Sequence, residues 1–155
     1  EKHGERQNGE NFAAKGTRIA AVHLKSSVGA VGPEDCDNAG KRMALAWGLA
    51  QRQATLPDVA YLVIGDFNVD PADPLKTEYD RTDDILARAG ALDLVARLLP
   101  ASERPVGSYG DSVIDRAMLR PGRGVEATGL ELLAEAPRRG WASDHVPLVV
   151  ELRVP

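Results

Sequence analysis

The stretch Tyr61-Leu62-Val63-Ile64-Gly65-Asp66-Phe67-Asn68 decides how the rest of the chain is organised. Four large apolar residues run directly into a glycine, a pattern that predicts a strand buried on both faces. Gly65 allows the backbone to leave the sheet without a Cβ clash. If the chain stays extended, Asp66 and Asn68 project to the same side, where their oxygens suit a magnesium ion or a phosphate-directed amide. The alternative interpretation is an Asx-turn that closes the strand.

The overall composition is that of an ordinary globular protein. A length of 155 residues suffices for one domain with a real core. The formal net charge of −4 argues against a strongly basic protein that coats nucleic acid, but it allows an enzyme that engages a few phosphates. No apolar run approaches the roughly 18–20 residues that span a bilayer. The single cysteine, Cys36, cannot form a disulfide within this chain, so it does not fix the compartment.

The chain starts with neither an initiator Met nor a signal-peptide pattern. We therefore expect that it begins inside a gene product and that something upstream precedes it. Residues 1–16 are polar and without period, which predicts a flexible or irregular lead-in. Residues 17–154 are predicted to form the folded domain.

The alternation of strand and helix patterns indicates an α/β or α+β fold with a mixed sheet. Strands are predicted over 17–24, 112–119 and 146–154, besides the opening stretch, with a further possible strand over 124–133. A helix is predicted to begin near Asp37 or Asn38, and Trp47 is expected in the core with Met43, Ala50 and Ala54 on the same face. Two short helices are predicted over 82–89, with Gly90 as the C-cap, and over 92–99.

Two polar residues stand out in the last third of the chain. Asp115 lies on an apolar strand face, where a carboxylate needs a hydrogen-bonding or charged partner. That partner is either an arginine in a buried ion pair or a histidine that the carboxylate orients. His145, in Ser143-Asp144-His145-Val146-Pro147, is the candidate histidine, although the same motif alone also fits a polar turn. His23, taken alone, is more often a satisfied core histidine than a catalyst.

Four motifs occur in an order that resembles the C-terminal half of the endonuclease/exonuclease/phosphatase superfamily, the metal-dependent phosphoesterases that include DNase I-like nucleases. They are Val22-His23-Leu24-Lys25-Ser26, Gly65-Asp66-Phe67-Asn68, Ser112-Val113-Ile114-Asp115 and Ser143-Asp144-His145-Val146-Pro147. Arg42, at the start of the first helix, also resembles a recurrent arginine of the family. The resemblance runs from about Thr17 to Leu152. It implies half of a four-layer α/β sandwich, with a mixed, mostly antiparallel sheet and flanking helices.

The resemblance also implies a role for each matching residue. His145 would be the general base that activates water, and Asp115 would hold its ring in the productive tautomer. Asp66 would align the nucleophile or contact the metal, and Asn68 would hydrogen-bond the phosphoryl oxygens. His23 would lie against the scissile phosphate. Asp144 would lie at the metal site.

The chain departs from the family pattern at the metal. The family's principal metal ligand is a glutamate of the N-terminal half, and nothing here matches it, because Glu1, Glu5 and Glu10 lie in the polar lead-in. The cofactor implied is Mg²⁺ or Mn²⁺, with the principal ligand expected upstream. An isolated half would also expose a sheet face, which predicts packing against an N-terminal half or self-association.

The first functional hypothesis is a divalent-metal-dependent phosphodiesterase that acts on nucleic acid as a nuclease. Arg138 and Arg139 either contact the phosphate backbone or form a solvated turn. The second hypothesis keeps the chemistry on a phosphomonoester or a lipid headgroup. The third is a non-catalytic remnant or interaction module. A secreted or periplasmic location is compatible with the resemblance, but the sequence leaves the compartment unknown.

Overall fold

The computed structural model describes residues 16–26, 36–72, 79–99, 109, 112–133 and 144–155. The predicted lead-in lies outside these residues, except for Gly16, and so do Arg138, Arg139 and Ser143. The described strands are β1 (Thr17–His23), β2 (Ala60–Asp66), β3 (Leu92–Asp93), β4 (Asp115–Arg120), β5 (Glu126–Leu132) and β6 (Leu148–Arg153). The described helices are α1 (Cys36–Ala54), α2 (Thr82–Arg88) and α3 (Leu94–Leu98). None of these helices is long and apolar enough to cross a membrane.

The strands form one four-stranded sheet and one two-stranded sheet. The larger sheet has the order β1-β2-β4-β3, and β5 pairs with β6 in the smaller one. β1 runs parallel to β2, while the β2–β4, β3–β4 and β5–β6 pairs are antiparallel. The predicted mixed, mostly antiparallel arrangement with flanking helices is therefore confirmed, with β5 and β6 forming a separate sheet.

β2 lies at the centre of the larger sheet and is buried on both faces, as its continuous apolar run predicts. Tyr61 and Val63 point to one face, where they pack with Ala46 of α1 and Leu86 of α2. The opposite face of the larger sheet packs against α3 and the apolar side of the smaller sheet. The sheet residues on this face include Ala60, Leu62, Ala117 and Leu119. Their neighbours include Leu94 of α3 and, in the smaller sheet, Leu130, Val150 and Leu152. The smaller sheet's apolar side chains are only partly buried. The predicted packing of an exposed sheet face against an N-terminal half, or its self-association, stays a prediction.

The prediction of the buried face of α1 is wrong, because the buried positions are displaced by about one residue from the predicted ones. Trp47, expected in the core, is 59% exposed, whereas Arg42 is only 1% exposed. Arg42 can lie inside because its Nε is 2.6 Å from Asp80 Oδ2 and its guanidinium also donates to the Lys25 carbonyl at 2.7 Å. A buried charge is tolerated when it is paired in this way. The pairing with Asp80 rotates the helix away from the face that hydrophobicity predicts, and the buried side consists of Ala39, Arg42, Ala46, Ala50 and Gln53.

The region around α2 and α3 agrees with the predictions except at Leu92. α2 ends near Gly90, whose φ of +88° and amide bond to the Ala87 carbonyl belong to a helix C-terminus. The predicted helix over 92–99 begins only at Leu94, because Leu92 pairs with Leu119 of β4. Asp93 then caps α3 by accepting a hydrogen bond from the Ala96 amide at 3.2 Å.

Gly65 has a positive φ of +135°, and a Cβ built there would lie 2.1 Å from the Val22 carbonyl oxygen. Gly65 pairs with Val22 across the parallel β1–β2 ladder. A side chain at this position would therefore strain the backbone and separate the two strands near their carboxyl ends.

We expect Gly65→Ala to lower the free energy of unfolding by about 1–3 kcal/mol, the usual cost of one strained backbone position. Urea denaturation followed by circular dichroism measures the change. Gly48→Ala is the matched control, because Gly48 lies in α1 and a Cβ there meets nothing within 4 Å. That control should be neutral or stabilising by about 0.5–1 kcal/mol. Equal stabilities for the two variants would contradict the interpretation of Gly65.

Candidate functional site

Three of the predicted site residues lie side by side at one end of the larger sheet. His23 is the last residue of β1, Asp66 the last of β2 and Asp115 the first of β4. The strand register pairs His23 with Asp66 and Asp66 with Asp115. Because β4 runs antiparallel to β2, its first residue meets the carboxyl ends of the two parallel strands. The pairing of the strands thus brings together polar residues that are far apart in sequence.

The backbone after Asp66 forms a turn, which is one of the two interpretations that the sequence left open. Asn68 has a positive φ of 53°. Its amide nitrogen donates to Asp66 Oδ1 at 2.7 Å, and its side-chain Nδ2 donates to Asp66 Oδ2 at 2.8 Å and to the Leu24 carbonyl at 3.1 Å. The Asx-turn interpretation is therefore the correct one locally, because an asparagine tolerates this conformation and the aspartate accepts its amide.

The turn has a chemical consequence for Asn68. A side-chain amide has two donor hydrogens, and Asp66 and Leu24 together accept two hydrogen bonds from Nδ2. Asn68 is also only 8% exposed. In this arrangement Asn68 orients Asp66 and fixes the end of β1. To donate to phosphoryl oxygens, as the resemblance implies, Nδ2 would have to exchange one of these bonds.

His145 lies just before β6 and reaches the ends of both β2 and β4. Its Nδ1 is 2.8 Å from Asp115 Oδ2, and its Nε2 is 4.0 Å from Asp66 Oδ2. The side chains are partly shielded from solvent, with 29% exposure for His145 and 13% for each of the two carboxylates. The predicted histidine–carboxylate pair of His145 and Asp115 is thus present in the structure as a direct contact.

Burial lowers the pKa of His145, but the hydrogen bond and charge of Asp115, together with the charges of Asp66 and Asp144, outweigh burial and raise that pKa above its usual value. A neutral His145 whose Nδ1–H donates to Asp115 carries its basic lone pair on Nε2. The geometry therefore directs that lone pair toward Asp66.

His23 approaches the same carboxylate oxygen from the other side. Its Nε2 lies 3.5 Å from Asp66 Oδ2, and its side chain is 78% exposed. The expectation of an ordinary satisfied core histidine is therefore wrong, since β1 ends at the surface. Asp66 Oδ2 lies between two imidazoles, one largely exposed and one partly buried.

The described residues alone do not form a metal site. Among them, no cluster of three or more His, Cys, Asp or Glu side chains is arranged to hold a metal ion. Both oxygens of Asp66 already accept hydrogen bonds from Asn68. Asp144 is exposed and acts on His145 through its charge. The predicted Mg²⁺ or Mn²⁺ stays a prediction that needs a ligand from outside these residues.

Sequence reasoning missed two residues that support the site. Asp70 accepts hydrogen bonds from the Val113 amide at 3.1 Å and the Ala72 amide at 2.8 Å, which joins the turn after β2 to the segment before β4. Its position before Pro71 was a signal for a turn, though not for this long-range contact. Tyr109 places its ring centroid 5.0 Å from that of His145. It lies in a polar stretch without period, so no pattern marked it.

Comparison with known proteins identifies the fold. No protein-family model and no curated protein sequence matches this chain. Among solved structures, it is similar to an endonuclease/exonuclease/phosphatase from Beutenbergia cavernae, with 17% identity over 88% of this chain and 36% of that one, at a TM-score of 0.60. It is also similar to the human Nocturnin catalytic domain with bound sulfate, with 20% identity over 88% of this chain and 47% of that one, at a TM-score of 0.58.

A third similar structure is the mannosyl-6-phosphatase Bt3783 of Bacteroides thetaiotaomicron, with 19% identity over 74% of this chain and 46% of that one, at a TM-score of 0.50. These likenesses show that the chain has the fold of endonuclease/exonuclease/phosphatase proteins, as its four motifs predict. The chain spans about a third to a half of the length of the structures that it matches.

Proposed function

We propose that the protein is a divalent-metal-dependent phosphodiesterase that hydrolyses nucleic acid, with His145 as the base that activates water. The observation that carries this proposal is the contact between His145 Nδ1 and Asp115 Oδ2 at 2.8 Å, which turns Nε2 toward Asp66. A general base needs a neutral imidazole with an oriented lone pair. The Asp115–His145 pair meets that requirement.

In the proposed reaction, a water molecule contacts both His145 Nε2 and Asp66 Oδ2 from one side of the line that joins these two atoms. Their separation of 4.0 Å allows one water oxygen to reach both groups at hydrogen-bond distance. Nε2 takes one proton as the water oxygen forms a bond to phosphorus, and the bond from phosphorus to the leaving oxygen breaks. Asp115 and Asp66 stabilise the imidazolium that results, since both carboxylates face the ring.

His23 is proposed to contact the scissile phosphate. Its imidazole is largely exposed at the end of β1, and it is 3.5 Å from Asp66. A protonated His23 there would stabilise the developing negative charge and could donate a proton to the leaving oxygen. Its exposure leaves it accessible to a substrate that reaches the sheet end from solvent.

Metal dependence is part of the proposal but not of the steps above. The resemblance assigns the metal contacts among the described residues to Asp66 and Asp144, whose carboxylates are suitable magnesium ligands. They do not suffice without a further ligand, which the sequence resemblance expects upstream. The resemblance assigns this role to a glutamate of the family's N-terminal half.

Two other functions fit the same fold. A phosphomonoesterase is supported by the likeness to the mannosyl-6-phosphatase of Bacteroides thetaiotaomicron. A non-catalytic module is supported only by the incomplete set of metal ligands among the described residues. Against it stands the arrangement of His23, Asp66, Asp115 and His145 at one sheet end, because a decayed site has no reason to keep such a set.

The test uses the full-length product of the gene with Mg²⁺ or Mn²⁺, with and without excess EDTA. The substrates are plasmid DNA, RNA, an inositol phosphate and a sugar monophosphate. We expect metal-dependent cleavage of DNA or RNA that EDTA abolishes. Release of phosphate from the monoesters alone would establish the phosphatase instead, and no hydrolysis of any substrate would overturn both enzymatic proposals.

We expect kcat/KM to rise with pH through the pKa of His145, because only the neutral imidazole accepts a proton. Since that pKa is raised, the midpoint of the rise in kcat/KM should lie above about pH 6.5, the pKa of an ordinary histidine. NMR titration of the His145 ring measures the pKa directly, with His23 assigned separately. Asp144→Asn removes one of the raising charges and should move the midpoint to lower pH. A midpoint below the ordinary value would contradict this prediction.

A further inference from the structure

We infer that Tyr109 is a positioning residue for His145, holding the imidazole in the orientation that the hydrogen bond to Asp115 begins to define. This inference rests on the proposed function of His145 as the base. The two ring centroids are 5.0 Å apart and the ring planes are inclined by 36°. Such a separation is within the range of favourable aromatic contacts.

Tyr109 is anchored to the same segment that carries Asp115. Its amide donates to the Ser112 carbonyl at 3.1 Å, and the Ser112 amide donates back to the Tyr109 carbonyl at 3.0 Å. Val113, next in the chain, donates from its amide to Asp70 Oδ2 at 3.1 Å. The backbone under the tyrosine ring is therefore tied both to the start of β4 and to the turn that follows Asp66.

The contacts from Asp115 and Tyr109 restrict different motions of His145. The hydrogen bond to Asp115 fixes the position of Nδ1, but it does not by itself prevent the ring from tilting about that bond. A ring packed against the imidazole opposes this tilt and so keeps Nε2 directed toward Asp66. After proton transfer, the imidazolium also gains from the electron-rich aromatic face.

Tyr109 is 44% exposed, so its ring could instead serve as a platform for a base or a sugar of the substrate. The two roles have different kinetic signatures. A substrate platform contributes mainly to KM, whereas a residue that orients the base contributes to kcat. An orienting role also requires that the two rings stay in contact in the absence of substrate.

The experiment compares Tyr109→Phe, which keeps the ring, with Tyr109→Leu, which removes it. Trp47→Leu is the matched control, because Trp47 is an exposed aromatic residue of α1 with no part in the site. We expect Tyr109→Leu to lower kcat about 10–100-fold at nearly unchanged KM, the cost of a misdirected catalytic group. In the unmodified protein and in Tyr109→Phe, NMR should detect cross-relaxation between the ring protons at positions 109 and 145, since the two centroids are 5.0 Å apart. Tyr109→Phe and Trp47→Leu should match the unmodified protein within about twofold.

The outcomes separate this inference from the proposed function. An effect of Tyr109→Leu on KM alone, or an unchanged kcat, would overturn the positioning role. If the unmodified protein hydrolyses none of the substrates, the proposed function fails, and the cross-relaxation between the two rings alone decides whether Tyr109 holds the ring of His145. Circular dichroism of Tyr109→Leu identifies a folding defect, in which case Tyr109→Val and Tyr109→Phe supply the comparison.

Discussion

His145→Ala is expected to lower kcat by about 10²–10⁴-fold, the usual contribution of a general base. The variant leaves Asp115 and Asp66 in place but removes the imidazole that contacts both carboxylates. Because His145 does not bind the phosphate in the proposed mechanism, KM should change much less than kcat. Steady-state kinetics on the best substrate of the assay measure both constants.

Asp115→Asn provides the mechanistic control for His145→Ala. An asparagine at position 115 keeps the size of the side chain but loses the charge that holds the productive tautomer. Because Asp115 acts through His145, the double variant should be no worse than His145→Ala alone. If the losses in kcat of the two single variants multiplied in the double variant, the base would lie elsewhere. A fully active His145→Ala variant would show the same.

Arg42→Met is expected to lower the free energy of unfolding by about 3–5 kcal/mol, the cost of breaking a buried ion pair by removing one partner. The side chains of Arg42 and Asp80 are 0% and 1% exposed. Without the guanidinium, Asp80 would keep its hydrogen bond from the Thr82 amide at 2.9 Å, but its charge would be buried without compensation. The Lys25 carbonyl would also lose a donor. Urea denaturation measures the change.

Arg81→Met is the matched control for this loss of stability. Arg81 pairs with Asp84 at 2.9 Å, but the two side chains are 61% and 49% exposed. Exposed pairs contribute about 0–1 kcal/mol, so this variant should stay close to the unmodified protein. If Arg42→Met were as mild as Arg81→Met, the buried pair would not be what holds α1 to the segments around Lys25 and Asp80.

The strands and the clustering of the site were predictable from the sequence for a physical reason. An apolar run followed by polar residues marks where a buried strand meets solvent. His23 and Asp66 stand at such points. Asp115 was predicted within the strand over 112–119, and it joins them because β4 begins at that residue and pairs it with Asp66. His145, at the entry to the last strand, was predictable on the same ground.

Other features depended on contacts that periodicity does not encode. The rotation of α1 follows from a buried pair whose second member, Asp80, lies 38 residues from Arg42. The turn at Asn68 was one of two interpretations, and the Leu24 carbonyl that accepts its side chain lies 44 residues away. Tyr109 contacts His145 from a segment with no pattern of its own. In each case the deciding partner was distant in sequence.

The register that places His23, Asp66 and Asp115 side by side also constrains how the chain folds. The contacts between Asn68 and Leu24, Val113 and Asp70, and His145 and Asp115 close loops of 44, 43 and 30 residues. Contacts between distant residues form slowly, because the loop entropy is lost before the pairing compensates for it. No helix or pair of neighbouring elements holds the whole site by itself. A chain still on its way to the native state has therefore not yet assembled the proposed site, which forms only with the completed sheet.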